Sequence, residues 1–206
     1  MFKWIVALSF LFALTAAQAL ESIELPAASA YEDEDGSAIA FKPPPGRAVA
    51  FRQMLNREIQ VNHKNVVALT HRAYLHIRTG NNDEALRDFG HALKVADYGS
   101  PLHRQVLWAY GWALYDLGRF NEALQSWQLC VKLHGGHPFW APYSYALAYW
   151  TAGERETALA WYSTAVHSNA QWGTQEGVNE RTSHWRPNQK EMQLAMFEAW
   201  SALQAK

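Results

Sequence analysis

Residues 111–133 read GWALYDLGRFNEALQSWQLCVKL, and the placement of Gly111, Gly118, Ala123, Trp127 and Cys130 within them decides the fold. These five positions step by 7, 5, 4 and 3 residues. The same steps connect Ala73, Gly80, Ala85, Phe89 and Ala92 upstream, and Ala146, Gly153, Ala158, Tyr162 and Ala165 downstream. The copies are offset by 38 and then 35 residues, a period that indicates stacked repeats. A small residue (Ala73, Gly111 or Ala146) lets a first helix approach its neighbour. The glycine seven residues on can take the left-handed conformation that ends that helix. The alanine, aromatic and small residue that follow recur at i, i+4 and i+7, one face of a second helix. Each copy is therefore a helical hairpin that packs on the next.

The segments GWALYDLGRFNEALQSWQLCVKL and RAYLHIRTGNNDEALRDFGHALKVA (residues 72–96) resemble the tetratricopeptide repeat. The tryptophan of that pattern is replaced by Leu69, Leu107 and Pro142, and its closing proline by Asp97, Gly135 and Ala170. Extra residues at the joints, DYGSP and HGGHP, account for the long offsets. The resemblance implies an all-α fold: a right-handed superhelical stack of helical hairpins, or α-solenoid, with a C-terminal capping helix. Three repeats are expected at about 66–99, 104–137 and 139–172, within 66–172. Residues 46–65 supply a leading helix over the open end of the stack, with Val49, Phe51, Leu55 and Ile59 on its apolar side. Residues 173–206 read as a loop anchored by Trp172 and Trp185, followed by the cap, whose face carries Met192, Met196, Ala199, Trp200 and Leu203. Leu194 and Phe197 widen that face enough to suggest self-association.

The amino terminus has a different character. Lys3, a mainly apolar run over residues 4–17 and then Ala17-Gln18-Ala19 read as a cleaved signal peptide over 1–19. The run falls short of the roughly 20 residues that span a bilayer, so the mature chain is expected to lack a transmembrane segment. Only one cysteine, Cys130, is present, so no intramolecular disulfide can form. It occupies a small-residue slot and reads as a buried apolar side chain. Export combined with cysteine scarcity points to a periplasmic location, with secretion as the alternative. Residues 20–45 read as an acidic, proline-rich disordered linker. With six acids and one base they carry a charge of −5, against +3 for residues 46–206. The linker is either a solvated tether, dispensable for folding, or a tail that contacts its own domain or a basic partner.

Chemistry-bearing motifs are scarce. Nucleophile elbows, phosphate-binding glycine loops and zinc-protease signatures are absent, so no catalytic residue, no cofactor and no metal is assigned. His134 and His137 form the best metal pair, but two histidines are fewer than a tight site needs. Nucleic acid is not expected as a partner, given the small positive charge of the body. The outstanding feature is aromatic content: ten Trp, nine Tyr and nine Phe. Trp108, Trp112 and Tyr115 form an i, i+4, i+7 stripe beside the packing face of their helix. By resemblance, first helices face the concave side, which places Tyr74, Arg78, Tyr143 and Trp150 on the same surface. These seven residues are the expected ligand groove. The expected function is a non-enzymatic exported scaffold. It would bind a protein or peptide segment in that groove and assist assembly or localisation of an envelope or secretion complex. The alternative is an aromatic glycan- or peptidoglycan-binding module, and an enzyme with unidentified carboxylates ranks below both.

Overall fold

The computed structural model describes Leu20 and residues 22–25, 30–39 and 47–205. The expected signal segment 1–19 lies outside the described residues. The helices are α1 (Ala48–Val61), α2 (Val66–Arg78), α3 (Asn82–Val95), α4 (Pro101–Asp116), α5 (Phe120–His134), α6 (Ala141–Ala152), α7 (Arg155–Ser168), a 3-10 turn (Ala170–Gly173), α8 (Gln175–Arg181) and α9 (Pro187–Gln204). The molecule is all-α, and α2 with α3, α4 with α5, and α6 with α7 form the three hairpins. Gly80, Gly118 and Gly153 follow or cap the first helices with φ of 77°, 73° and 93°, the left-handed turn that their spacing predicts.

The packing slots are filled as the repeat spacing requires. Phe89, Trp127 and Tyr162 are fully buried at equivalent places in α3, α5 and α7. Gly111 is needed for contact, since a Cβ there would run into the Trp127 indole. That indole N–H donates to the Trp108 carbonyl at 3.1 Å, which ties α5 to α4. At the amino end Arg72 joins three helices: its Nε and Nη2 each donate to Asp88 at 2.7 Å, and its Nη1 donates to Asn56 at 3.0 Å. Leu55 of α1 is buried with Ala68 and Leu75 in a satellite cluster, so α1 covers the first hairpin. At the other end α9 packs on α6 and α7.

Two segments differ from the sequence reading. The region after α7, expected as a loop, contains the 3-10 turn and α8. Thr174 caps α8 by accepting the Gly177 N–H at 3.1 Å, and Gly177 allows close approach to the Gln171 carbonyl, where a Cβ would not fit. Residues 30–39, within the expected disordered linker, lie along the joints as a strap. The Asp33 N–H donates to the His137 carbonyl and the Phe139 N–H donates to the Asp33 carbonyl, both at 3.1 Å, a parallel bridge beside Pro138. Tyr31 is buried against Trp161 and His137. The Trp140 indole N–H donates to Asp35 at 2.9 Å, and Ser37 donates to the same carboxylate. Hydrogen bonding explains the departure from solvated behaviour: the Asp35 side chain has no exposed surface, and its acceptor oxygens are satisfied by protein donors.

Candidate functional site

A cleft of about 830 Å³ opens between the first helices of the repeats and the carboxy-terminal segment. Its floor is built by α2, which supplies Tyr74, Ile77 and Arg78, by α4, which supplies Trp108, Trp112 and Asp116, and by Tyr143 of α6. The facing wall comes from Trp172 of the 3-10 turn, Arg181 of α8, and His184, Trp185 and Gln189 beyond it. Ala38 of the strap and Phe139 stand at its margin.

Asp116 fastens the wall to the floor. One of its oxygens accepts Arg186 Nη1 at 2.7 Å and the other accepts Gln189 Nε2 at 2.8 Å. Burial raises the Asp116 carboxyl above the usual carboxylate range, outweighing the lowering effect of Arg186 and Gln189. Trp185 reaches across to Trp112, with ring centroids 5.1 Å apart, and to Tyr143, at 5.7 Å. Tyr143 also meets Trp172 at 4.8 Å. Edge-to-face and tilted pairs of this kind add to simple area burial and fix the shape of the cleft.

The structure brings Tyr74, Arg78, Trp108, Trp112 and Tyr143 together on this cleft, while Tyr115 and Trp150 stand apart from it. The Tyr115 hydroxyl pairs with Thr151 Oγ1 at 2.7 Å, and its ring lies against Phe120. Trp150 carries the Arg155 guanidinium 3.7 Å above its ring centroid. Helical rotation accounts for the difference. Each four-residue step advances about 40° around the helix, so the row facing the cleft runs Trp108, Trp112, Asp116. Tyr115 instead turns toward α6. Trp108 and Trp112 are each only 6% exposed, so they belong to the core as well as to the cleft wall.

The facing wall was not assigned from sequence, although Trp172 and Trp185 in an otherwise polar segment signalled an anchored chain. Arg181 is the important addition. Its guanidinium lies 4.9 Å over the Trp172 ring and its Nη1 donates to Gln171 at 2.9 Å, while its Nε is buried with no partner. The buried indole N–H groups of Trp108 and Trp112 also lack acceptors. These unmet donors lie buried within the aromatic lining of the cleft.

Among the described residues no group of three or more His, Cys, Asp or Glu stands together to hold a metal. The joint bearing His134 and His137 receives the strap instead. Among the same residues no helix is long and apolar enough to cross a membrane.

Family models described as tetratricopeptide repeat match residues 71–129 and residues 140–163. No match was found among curated proteins or among solved structures. The matched residues fall on the helical hairpins whose floor forms the cleft, and repeats of this kind suggest a protein-interaction scaffold, in general a non-enzymatic one. By its repeat spacing, its hairpin packing and these matches, the chain carries tetratricopeptide repeats on α2–α7.

Proposed function

We propose that this chain is a non-enzymatic exported scaffold whose cleft holds a short segment of a partner protein, in the assembly or localisation of an envelope or secretion complex. The observation that carries the reading is the composition of the cleft: Trp108, Trp112, Tyr143, Trp172 and Trp185 form an aromatic lining beside the exposed Arg78. Apolar side chains of an inserted segment fit between the rings, and its backbone carbonyls accept from the Arg78 guanidinium. Aromatic rings also suit sugars, whose hydroxyls both donate and accept, but the repeats that the family models match suggest a protein-interaction scaffold, which favours the protein segment.

Export follows from the charged, apolar and small-residue order of residues 1–19. Amino-terminal sequencing of the chain from its native host tests it, with a start near Leu20 expected and an intact Met1 contradicting it. The cleft is tested by placing a photo-crosslinking residue at Arg78, on the cleft, and separately at Lys94, exposed on α3. A protein adduct from position 78 alone is the expected result. Equal adducts from both positions contradict the assignment.

A further inference from the structure

The cleft contains cations that its own anions do not neutralise. Asp116 is held by Arg186, whereas Arg78 has no ion pair among the described residues and Arg181 has none either, its guanidinium resting on Trp172 and Gln171. Glu180 is the other carboxylate on the lining. Two guanidiniums therefore stand against one exposed carboxylate. The unmet polar atoms nearby are donors too: Arg181 Nε and the indole N–H groups of Trp108 and Trp112, two rings that are more than nine-tenths buried.

A second, smaller cavity of about 310 Å³ adjoins this end of the cleft and shares Phe139, Trp172 and Arg181 with it. Its remaining wall includes Glu32 and Glu34 of the strap. The strap is fixed there by the Asp33 bridge and by Asp35, so two carboxylates of the chain itself are held on the same cavity as Arg181. Neither forms an ion pair with it among the described residues, and both are exposed.

Resting on the reading of the cleft as a protein-binding site, we propose that the preferred partner segment carries an acidic side chain next to an aromatic or aliphatic one. Its carboxylate is received by Arg181 and Arg78, and Glu32 and Glu34 of the strap compete with it for Arg181. Guanidinium groups accept a carboxylate through paired N–H donors, and the adjoining rings take the apolar neighbour. The strap then sets the affinity: its charge lowers binding without blocking the cleft. Opposite signs follow for the two sets of residues. Loss of an arginine weakens binding, and neutralisation of the strap glutamates strengthens it.

The test begins with a random peptide library panned against the purified protein, keeping peptides whose binding is lost on Arg78→Glu. Each recovered peptide is synthesised with an amidated end, as found and with its acidic residue changed to the amide. Acidic residues beside apolar ones are expected in the recovered set, with affinity about tenfold lower for the amide form. Arg78→Gln should weaken the acidic form by a similar factor with an unchanged melting temperature, and Arg181→Lys should weaken it less than Arg181→Gln. Glu32→Gln with Glu34→Gln should tighten it about two- to fivefold, a gain that salt removes. Cleft-dependent peptides that lack acidic residues, or that bind equally as amides, overturn the carboxylate assignment and leave the protein-binding reading standing. Unchanged or weaker binding by the strap variant overturns the competition. Recovery of no cleft-dependent peptide overturns both readings.

Discussion

Gly111 shows how one residue carries both packing and position. It has no Cβ because the Trp127 ring occupies that space, and Trp127 in turn holds the α4 carbonyl at Trp108, on the cleft floor. Gly111→Ala should cost about 1–3 kcal/mol by overpacking, seen as a lower midpoint in urea. Trp112 is more demanding. It touches Trp108, Trp127 and Trp185, so Trp112→Ala should cost about 3–5 kcal/mol, and stability alone cannot separate its core role from its cleft role. Arg78, which is exposed, separates them. Cys130 is inert by placement: it is fully buried, and burial pushes its thiol up to about 12. Alkylation of the native protein near pH 8 should be negligible, and rapid native-state labelling would show that the small-residue slot opens. The repeat spacing identified the Gly111, Trp127 and Cys130 slots directly. Asp116 was not legible as a cleft residue, because its partners Arg186 and Gln189 lie about 70 residues away in sequence.

Helices with a strong internal period were readable, and segments held by single side chains were not. The hairpins α2–α7 follow from a spacing repeated three times, whereas α8 depends on Thr174 and on the contact of Gly177 with Gln171. The strap is the clearest case. An acidic run next to prolines has the composition of a tether, yet Tyr31 and Asp35 are buried and the backbone of Asp33 pairs with the joint. Deleting residues through 39 should therefore lower the melting temperature measurably, since it strips Trp140 of its acceptor and uncovers Trp161. An unchanged melting temperature would return the segment to the status of a tether. Burial alone would raise the Asp35 carboxyl, but hydrogen bonds from Ser37 and Trp140, with nearby His134, outweigh it and hold the group below the usual range. Its contribution is therefore present above the unfolded carboxylate value of about 3.9 and lost as pH falls through the lower folded value. Protection of the strap against hydrogen exchange should follow that course, and Asp35→Asn should remove it.

The molecule as a whole is a three-hairpin stack closed at one end by α1 and at the other by α9, with the carboxy-terminal segment folded back over the concave face. Its pH response should be set by His103, which is buried, and by the half-buried His71 and His76. Burial lowers His71, His76 and His103 below the ordinary value of 6.5, with Asp88 opposing and Arg72 assisting at His76. The folded state keeps them neutral, and the unfolded chain takes up protons first as pH falls. Stability should thus decline from about pH 6.5 downward, and melting curves between pH 7.5 and 5 should show it, with the slope reduced by His103→Gln. The family and the concave face were legible because each repeat states its geometry three times. The closed shape of the site was not, because it depends on the Asp116 clasp and on ring contacts of Trp172 and Trp185 with residues distant in sequence. The central claim is that this enclosed concave face is where the partner binds. Calorimetric titration of the crosslinked partner segment against Arg78→Glu and Lys94→Glu tests it most directly. The account predicts a loss of about tenfold or more for Arg78→Glu and none for Lys94→Glu, and equal affinities for the two variants would contradict it.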